Sequence, residues 1–456
     1  MVPDSRPRVS RPRLRTAITW LAALALVPVL GAEGGETVGR FLAVLAVMLV
    51  AGKVAGELFD RLRQPAVLGE LIAGVLLGGS VLGVIPMSPD DPLSEAFRVF
   101  AELGAVVLLF EIGLNSDPRE MFRVGRAAGT VAVVGVAVPF ALGVIYWLSP
   151  FHTAEVSTAD PLSTALFVGA ALTATSVGIT ARVLTDLGRI HTLEARLVIG
   201  AAVADDVIGL VILAVVSGLA AGATLSFLSV ATTFGIAVGF LLVAIFLGFK
   251  VAPALFEIVD RMRVRGTLLV AAFAFALLFA SLAQVVGLAP IVGAFAAGIV
   301  LSNINQFDSI DKSIKPVADI FTPIFFLHIG AAVDLSLLNP LNLDNAPALL
   351  IGLVLLVIAV IGKLVAGWSV WWQKFNRPAV GIGMIPRGEV GLIFASIGRT
   401  SGVLAPDLFN AIILMVIGTT FIAPPLLTWA FGRWGATGPD DEGPVRGAPS
   451  TAAVDA

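Results

Sequence analysis

Long apolar runs follow one another along the chain, separated by short turns that carry charge, proline or glycine. A helix needs about 20 apolar residues to cross the hydrocarbon core of a bilayer. On that rule the pattern predicts fourteen helical segments, at 16–31, 37–59, 66–84, 96–115, 124–149, 161–184, 194–220, 226–252, 266–286, 288–303, 318–338, 345–373, 379–400 and 406–432. The turns alternate in charge. Arg6, Arg8, Arg11, Arg13 and Arg15 precede the first segment, and basic turns recur at Arg61–Arg63, Arg119–Arg126, Arg189–Arg196, Arg261–Arg265, Lys312–Lys315 and Lys374–Arg377. The intervening turns hold no Lys or Arg. Basic turns stay in the cytoplasm, so the N-terminus is expected there.

The alternation also divides the chain. Residues 1–36 form a basic N-terminus with a short hydrophobic segment, ending in Gly31–Ala32–Glu33–Gly34–Gly35. That stretch fits either a cleaved signal or an extra helix. Residues 37–220 hold six segments, 226–256 a linker helix, and 266–432 six more. The second segment enters from outside and the ninth from inside, so the two sets of six have opposite topology. Opposed halves are the mark of an inverted-repeat transporter. Residues 433–456 are rich in Pro, Gly, Ala and Asp and read as a disordered cytoplasmic tail. The expected fold is an all-α polytopic membrane protein. It has thirteen core transmembrane helices, two inverted six-helix repeats plus the linker, with the extra N-terminal segment outside that core.

Composition agrees and narrows the chemistry. Of 456 residues, 57% are hydrophobic and 13% charged, against about 25% charged in soluble domains. There is no cysteine, which excludes thiolate metal sites and cysteine nucleophiles. Three histidines give little basis for a transition-metal centre. The basic residues are scattered between apolar runs, and no nucleic acid partner or organic cofactor is indicated.

Against this apolar background a few groups stand out. Asp205 and Asp206 adjoin one another in the seventh segment. Asp205 lies about 17 Å along it at 1.5 Å per residue, near the middle of a hydrocarbon core about 30 Å thick. Acids at that depth are costly, and function is their default explanation. The sixth segment carries Thr173, Thr175, Ser176 and Thr180 with small residues at mid-span. Such a run suits a broken helix or close helix packing equally well. The thirteenth carries Pro386–Arg387–Gly388–Glu389, and Pro386 removes a helix hydrogen bond. The two segments occupy matched places in the opposed halves and are expected to cross at their breaks, with Arg387 and Glu389 compensating half-helix ends or pairing with buried charges. Lys363, between glycines in the twelfth segment, either snorkels to the interface or neutralises a buried aspartate. Lys53 and Glu57 have the i,i+4 spacing of an ion pair. Glu70 and Glu111 read as structural groups near the cytoplasmic ends, and His328 as a hydrogen-bonded interior histidine or a proton relay.

Together, Thr173–Arg182, Ala204–Asp205–Asp206, Gly362–Lys363 and Pro386–Gly391 resemble the bacterial monovalent cation:proton antiporters, in particular the two-aspartate sodium/proton branch. Leu108–Leu114 and Ala289–Phe295 fit as well, so the likeness covers about residues 37–432. The resemblance implies a homodimer with dimerisation and core domains, in a multi-pass arrangement in the cell inner (plasma) membrane. It implies that Asp206 is the carrier of the cation (Na+) and the proton, and that Asp205 pairs with Lys363 when no sodium is bound. Thr175 would lie close to the ion, with Ser176 beside it.

The residues support a matching mechanism. A desolvated carboxylate holds a proton or a small hard cation, and hard cations favour oxygen ligands. Na+ or Li+ would therefore exchange for H+ by alternating access, with K+/H+ exchange the alternative on the same fold. A cation channel is the rival of another class, since channels also use carbonyls or acids. An intramembrane aspartyl protease needs two carboxylates facing each other and sharing a proton. Adjacent residues on one helix point about 100° apart, which argues against it.

Overall fold

The computed structural model describes residues 37–88, 90–116, 118–150, 160–220, 227–333, 335 and 346–435. The expected segment at 16–31, Asp334 and the tail beyond residue 435 lie outside them. The regular secondary structure of the described residues is helical, with no strand among them. The helices are α1 (Thr37–Arg61), α2 (Ala66–Leu77), α3 (Pro92–Leu114), α4 (Pro118–Leu148), α5 (Pro161–Ala171), α6 (Val177–Asp186), α7 (Leu193–Ala220) and α8 (Phe227–Asp260). They continue with α9 (Thr267–Val285), α10 (Pro290–Leu301), α11 (Phe307–Ala331), α12 (Ala346–Ala366), α13 (Arg377–Gly383), α14 (Glu389–Thr400) and α15 (Pro406–Trp434).

Seven described helices are long and apolar enough to cross a membrane, so the chain is a multi-pass membrane protein. Helices α2, α5 and α10 are apolar but have only 12, 11 and 12 residues. At 1.5 Å per residue they cover about 17–18 Å and need flanking chain to complete a crossing.

Helix starts follow local chemistry. Asp91 and Asp160 each precede a proline and cap the helix behind them, accepting hydrogen bonds from Leu93 N at 3.0 Å and Ser163 N at 3.1 Å. Proline needs no donor at the first helical position and its φ is already helical. Several boundaries differ from the apolar pattern, and for three of them the local reason is plain. Helix α2 stops at Leu77, where Gly78 takes an extended conformation. Helix α11 begins at Phe307, because the charged turn through Asp311 and Lys315 is itself helical and makes an i,i+4 pair at 2.5 Å. Helix α12 ends at Ala366, before a run of tryptophans.

The helices group into two bundles that each draw on both halves of the sequence. In one, α1 packs on α2, α9 on α10, α2 on α11, α3 on α10, and α3 on α11. In the other, α4 packs on α5, α7 and α12, and α12 on α13 and α15. Many of these pairings recur between the halves: α1–α2 matches α9–α10, α2–α11 matches α10–α3, and α4–α7 matches α12–α15. Helix α8 leans on both bundles, through α7 on one side and α9 and α10 on the other.

The first bundle is held by backbone-to-backbone approach. A Cβ on Gly74 of α2 would meet Leu327 O of α11 at 2.2 Å. A Cβ on Gly298 of α10 would meet Phe110 O of α3 at 2.3 Å. Where lipid is as apolar as the side chains, such close packing is the main attraction between helices. Gly74→Val should therefore destabilise the protein by about 1–3 kcal/mol through overpacking. Gly129→Val, where an added Cβ meets nothing within 4 Å, should leave the melting temperature in detergent close to wild type. Equal melting temperatures for the two variants would contradict this packing account.

Candidate functional site

Two helices are interrupted inside the second bundle. Helix α5 ends at Ala171 and α6 starts at Val177, leaving Leu172–Ser176 out of the α-helical path. Helix α13 ends at Gly383 and α14 starts at Glu389, leaving Met384–Gly388 out of it. The breaks cross: Ser176 N donates to Pro386 O at 2.7 Å.

A break frees backbone groups that have no water to turn to, and at the second break the protein supplies partners for the freed carbonyls. Thr180 Oγ1 donates to Gly383 O at 2.7 Å and Thr175 Oγ1 to Met384 O at 3.2 Å. Arg387 Nη1 donates to Ile385 O at 3.1 Å, and Thr420 Oγ1 of α15 to Arg387 O at 2.5 Å. With Ser176 N on Pro386 O, five successive carbonyls of one break, Gly383 to Arg387, each accept a hydrogen bond. Arg387 Nη2 also donates to Leu172 O, at the C-terminal end of α5. The fully buried guanidinium thus lies against the negative ends of two half-helices, where a cation is favoured. On the other side Ser176 caps α6.

Asp205 and Asp206 lie in α7, 1% and 7% exposed. Lys363 of α12 is fully buried and its Nζ donates to Asp205 Oδ2 at 3.0 Å. Snorkelling is thereby excluded. Asp206 lies within electrostatic reach of the same ammonium. Asp205 Oδ1 is buried with no hydrogen-bond partner among the described residues. The lysine stem fits because α4 gives way: Gly135 lies alongside it, and Gly362 packs directly on Pro139, where a Cβ would fall 2.9 Å from the proline ring.

The structure thus gathers Asp205, Asp206, Lys363, Thr175, Ser176, Pro386 and Arg387 around one crossing. The backbone of Glu389 starts α14 there, and its side chain lies outside the described set. Other expected groups sit elsewhere. Lys53 and Glu57 do not pair with each other: Lys53 faces Asp319 at 3.6 Å, and Glu57 pairs with Arg61 at 2.6 Å. His328 is in the last turn of α11, outside the crossing, with Nδ1 buried and unpartnered among the described residues. Sequence reasoning missed Thr420, Gly135 and Pro139. The Thr420 hydroxyl also lies 2.9 Å from Val416 O of its own helix and shares its one proton between that carbonyl and Arg387 O. Bonding back to the helix is common for threonine, so its sequence carries no sign of the contact across the crossing.

The sequence matches the family described as "Sodium/hydrogen exchanger, transmembrane" over residues 23–432. It is 41% identical over 416 residues to the high-affinity Na(+)/H(+) antiporter NhaS3 of Synechocystis sp., covering 85% of this chain and 89% of that one. It is 34% identical over 398 residues to the Na(+)/H(+)-K(+) antiporter GerN of Bacillus cereus, covering 86% and 97%. The fold resembles that of the sodium proton antiporter MjNhaP1 from Methanocaldococcus jannaschii, with a TM-score of 0.61 at 18% identity, over 86% of this chain and all of that one.

The Asp205–Lys363 pair generates a stability prediction separate from any activity. Removing one partner of a buried ion pair costs about 3–5 kcal/mol, because the other charge is stranded. Lys363→Met should lower the melting temperature sharply, and adding Asp205→Asn should recover most of the loss. A double variant as unstable as the sum of the singles would count against the pair.

Proposed function

Because the chain belongs to the sodium/hydrogen exchanger family, we propose that it is an antiporter exchanging sodium (or lithium) for protons by alternating access. It is a transporter and not an enzyme. The observation that carries the reading is the buried Asp205–Lys363 pair beside Asp206 at two crossed helix breaks. Asp206 holds a proton or a cation in turn. The oxygen of Thr175, whose proton is directed to Met384 O, keeps lone pairs for a hard cation. Lys363 neutralises Asp205 while no sodium is bound and releases it when the cation arrives. If that release sheds a proton, two protons exchange for one sodium and the cycle carries net charge.

The recurrence of helix pairings between the halves supports two inverted six-helix repeats, with α8 as the linker, within a thirteen-helix core. The two bundles correspond to a scaffold for a homodimer and a moving core. The bacterial relatives and the arginines of the N-terminus favour the inner membrane with that end in the cytoplasm. A potassium/proton exchange is the second reading, favoured by the relative named for potassium as well as sodium. A channel conducts without saturable exchange, which separates that rival.

The deciding experiment is dye-reported ΔpH in vesicles on addition of Na+, Li+ or K+, wild type beside Asp206→Asn. Wild type should respond in a saturable way, with the half-saturating cation concentration falling as pH rises because protons and cations compete. Asp206→Asn should lose at least a hundredfold in rate, and retained exchange would overturn the assignment. Proteoliposomes should also build a membrane potential during exchange; exchange indifferent to potential would remove the two-proton cycle.

A further inference from the structure

The seam between the two bundles is largely apolar. Val67, Leu71, Leu108 and Leu109 of the first bundle share a buried cluster with Val177 and Ile179 of α6. A Cβ on Gly178 of α6 would touch the Phe325 ring of α11 at 3.4 Å and Leu109 of α3 at 3.5 Å. Into this apolar contact the structure sets a small charged cluster. Arg182 of α6 reaches Glu70 of α2 at 3.5 Å and, one turn along its own helix, Asp186 at 3.1 Å. Asp186 in turn accepts a hydrogen bond from Val67 N at 3.0 Å, closing off the first turn of α2. Glu70 is 2% exposed, and the Arg182 and Asp186 side chains 17% and 12%. Glu111 of α3 and Asp319 of α11 also act on the arginine electrostatically. One guanidinium therefore pairs with a carboxylate of α2 and lies in the field of carboxylates on α3 and α11, all in the first bundle, while riding on a helix of the second.

The place of α6 gives this clasp its meaning. The helix is capped by Ser176, next to Thr175, and Arg182 lies six residues beyond Ser176, about 9 Å along the axis. We propose that Arg182 is a positioning residue for cation binding: by clasping Glu70 across the seam and fixing Asp186 against the start of α2, it holds half-helix α6, and so Thr175, at the ion site. The clasp is made of ion pairs and the Val67–Asp186 hydrogen bond set in an apolar surface, so it holds one registration of the seam and releases as a unit when the bundles shift. The proposal rests on the exchange reading for its effect on cation affinity, while the clasp itself is testable without it.

The chain has no cysteine, so Leu109→Cys, 1% exposed at the seam, gives a single labelling position. In purified protein in lipid nanodiscs, maleimide should label Leu109→Cys slowly. Adding Arg182→Gln or Glu70→Gln should speed labelling about tenfold. In proteoliposomes without the cysteine, Arg182→Gln should raise half-saturating sodium about threefold or more with the maximal rate little changed, and Arg182→Lys should restore most of the affinity. If Arg182→Gln does not reach the membrane, Glu70→Gln alone is read in the same way. Unchanged labelling in the variants overturns the clasp, whatever the exchange assay shows. Faster labelling with unchanged half-saturation overturns the positioning role. Absence of exchange in wild type would sink the antiport reading and leave the labelling comparison standing.

Discussion

The structure depends on one constraint: a polar group taken out of water must find its partner inside the protein. Two broken helices and, among the described residues, six buried charged side chains (Glu70, Glu194, Asp205, Asp206, Lys363 and Arg387) sit in a chain whose surroundings are lipid and apolar side chain. The crossing meets the constraint by reciprocity. Each break uses what the other lacks, hydroxyls and an amide from Thr175–Thr180 on one side, carbonyls from Gly383–Arg387 on the other. Arg387 closes what remains by donating to both strands of the crossing. On the exchange reading proposed above, the hydrogen bonds that tie the two breaks together favour a change of access that carries the crossing as one piece, together with α4, α7, α12 and α15 that enclose it.

The same constraint shapes the charges. Asp205 and Lys363 are tolerable because they face each other at 3.0 Å, and a buried pair of this kind is valuable less for stability than for what happens when it is disturbed. On the proposed reading, a cation entering beside Asp206 would alter the field at Lys363, and the neutralised pair is adjustable where an isolated charge would not be. The glycine at 135 and the Gly362–Pro139 contact are part of this arrangement, since they let α12 approach α4 closely enough to bring the lysine stem inside.

The sequence disclosed these features unevenly, for physical reasons. The break at Pro386 was legible because proline deletes a hydrogen bond wherever it stands in a helix interior. The partner break was not decidable alone, because Thr173, Thr175 and Ser176 suit tight packing equally well; only its matched position tipped the balance. The burial of Lys363 was not legible. Whether a lysine in the last turn of a helix snorkels depends on the room inside, and Gly135 and Pro139 lie more than 200 residues away in sequence. The expected Lys53–Glu57 pair failed for a related reason. Spacing of four sets who is near, but Arg61 offers Glu57 the same spacing with a forked donor, and tertiary packing brings Asp319 to Lys53. Helix α11 began early because charged residues at i and i+4 are helical too, and a rule that counts only apolar residues cannot see them.

The two modes of contact then divide the molecule mechanically. Within the first bundle, α2 and α10 lie backbone to backbone on α11 and α3, and such surfaces cannot slide without separating. At the seam, α6 touches α2, α3 and α11 through side chains such as Leu109 and Phe325, with ordinary van der Waals spacing. Apolar side-chain surfaces of that kind favour many registrations about equally. A directional element is needed to select one, and the charges around Arg182 supply it. A stiff crossing, a stiff scaffold and a soft seam with one ionic register are what the proposed alternating access requires of a site built on half-helices.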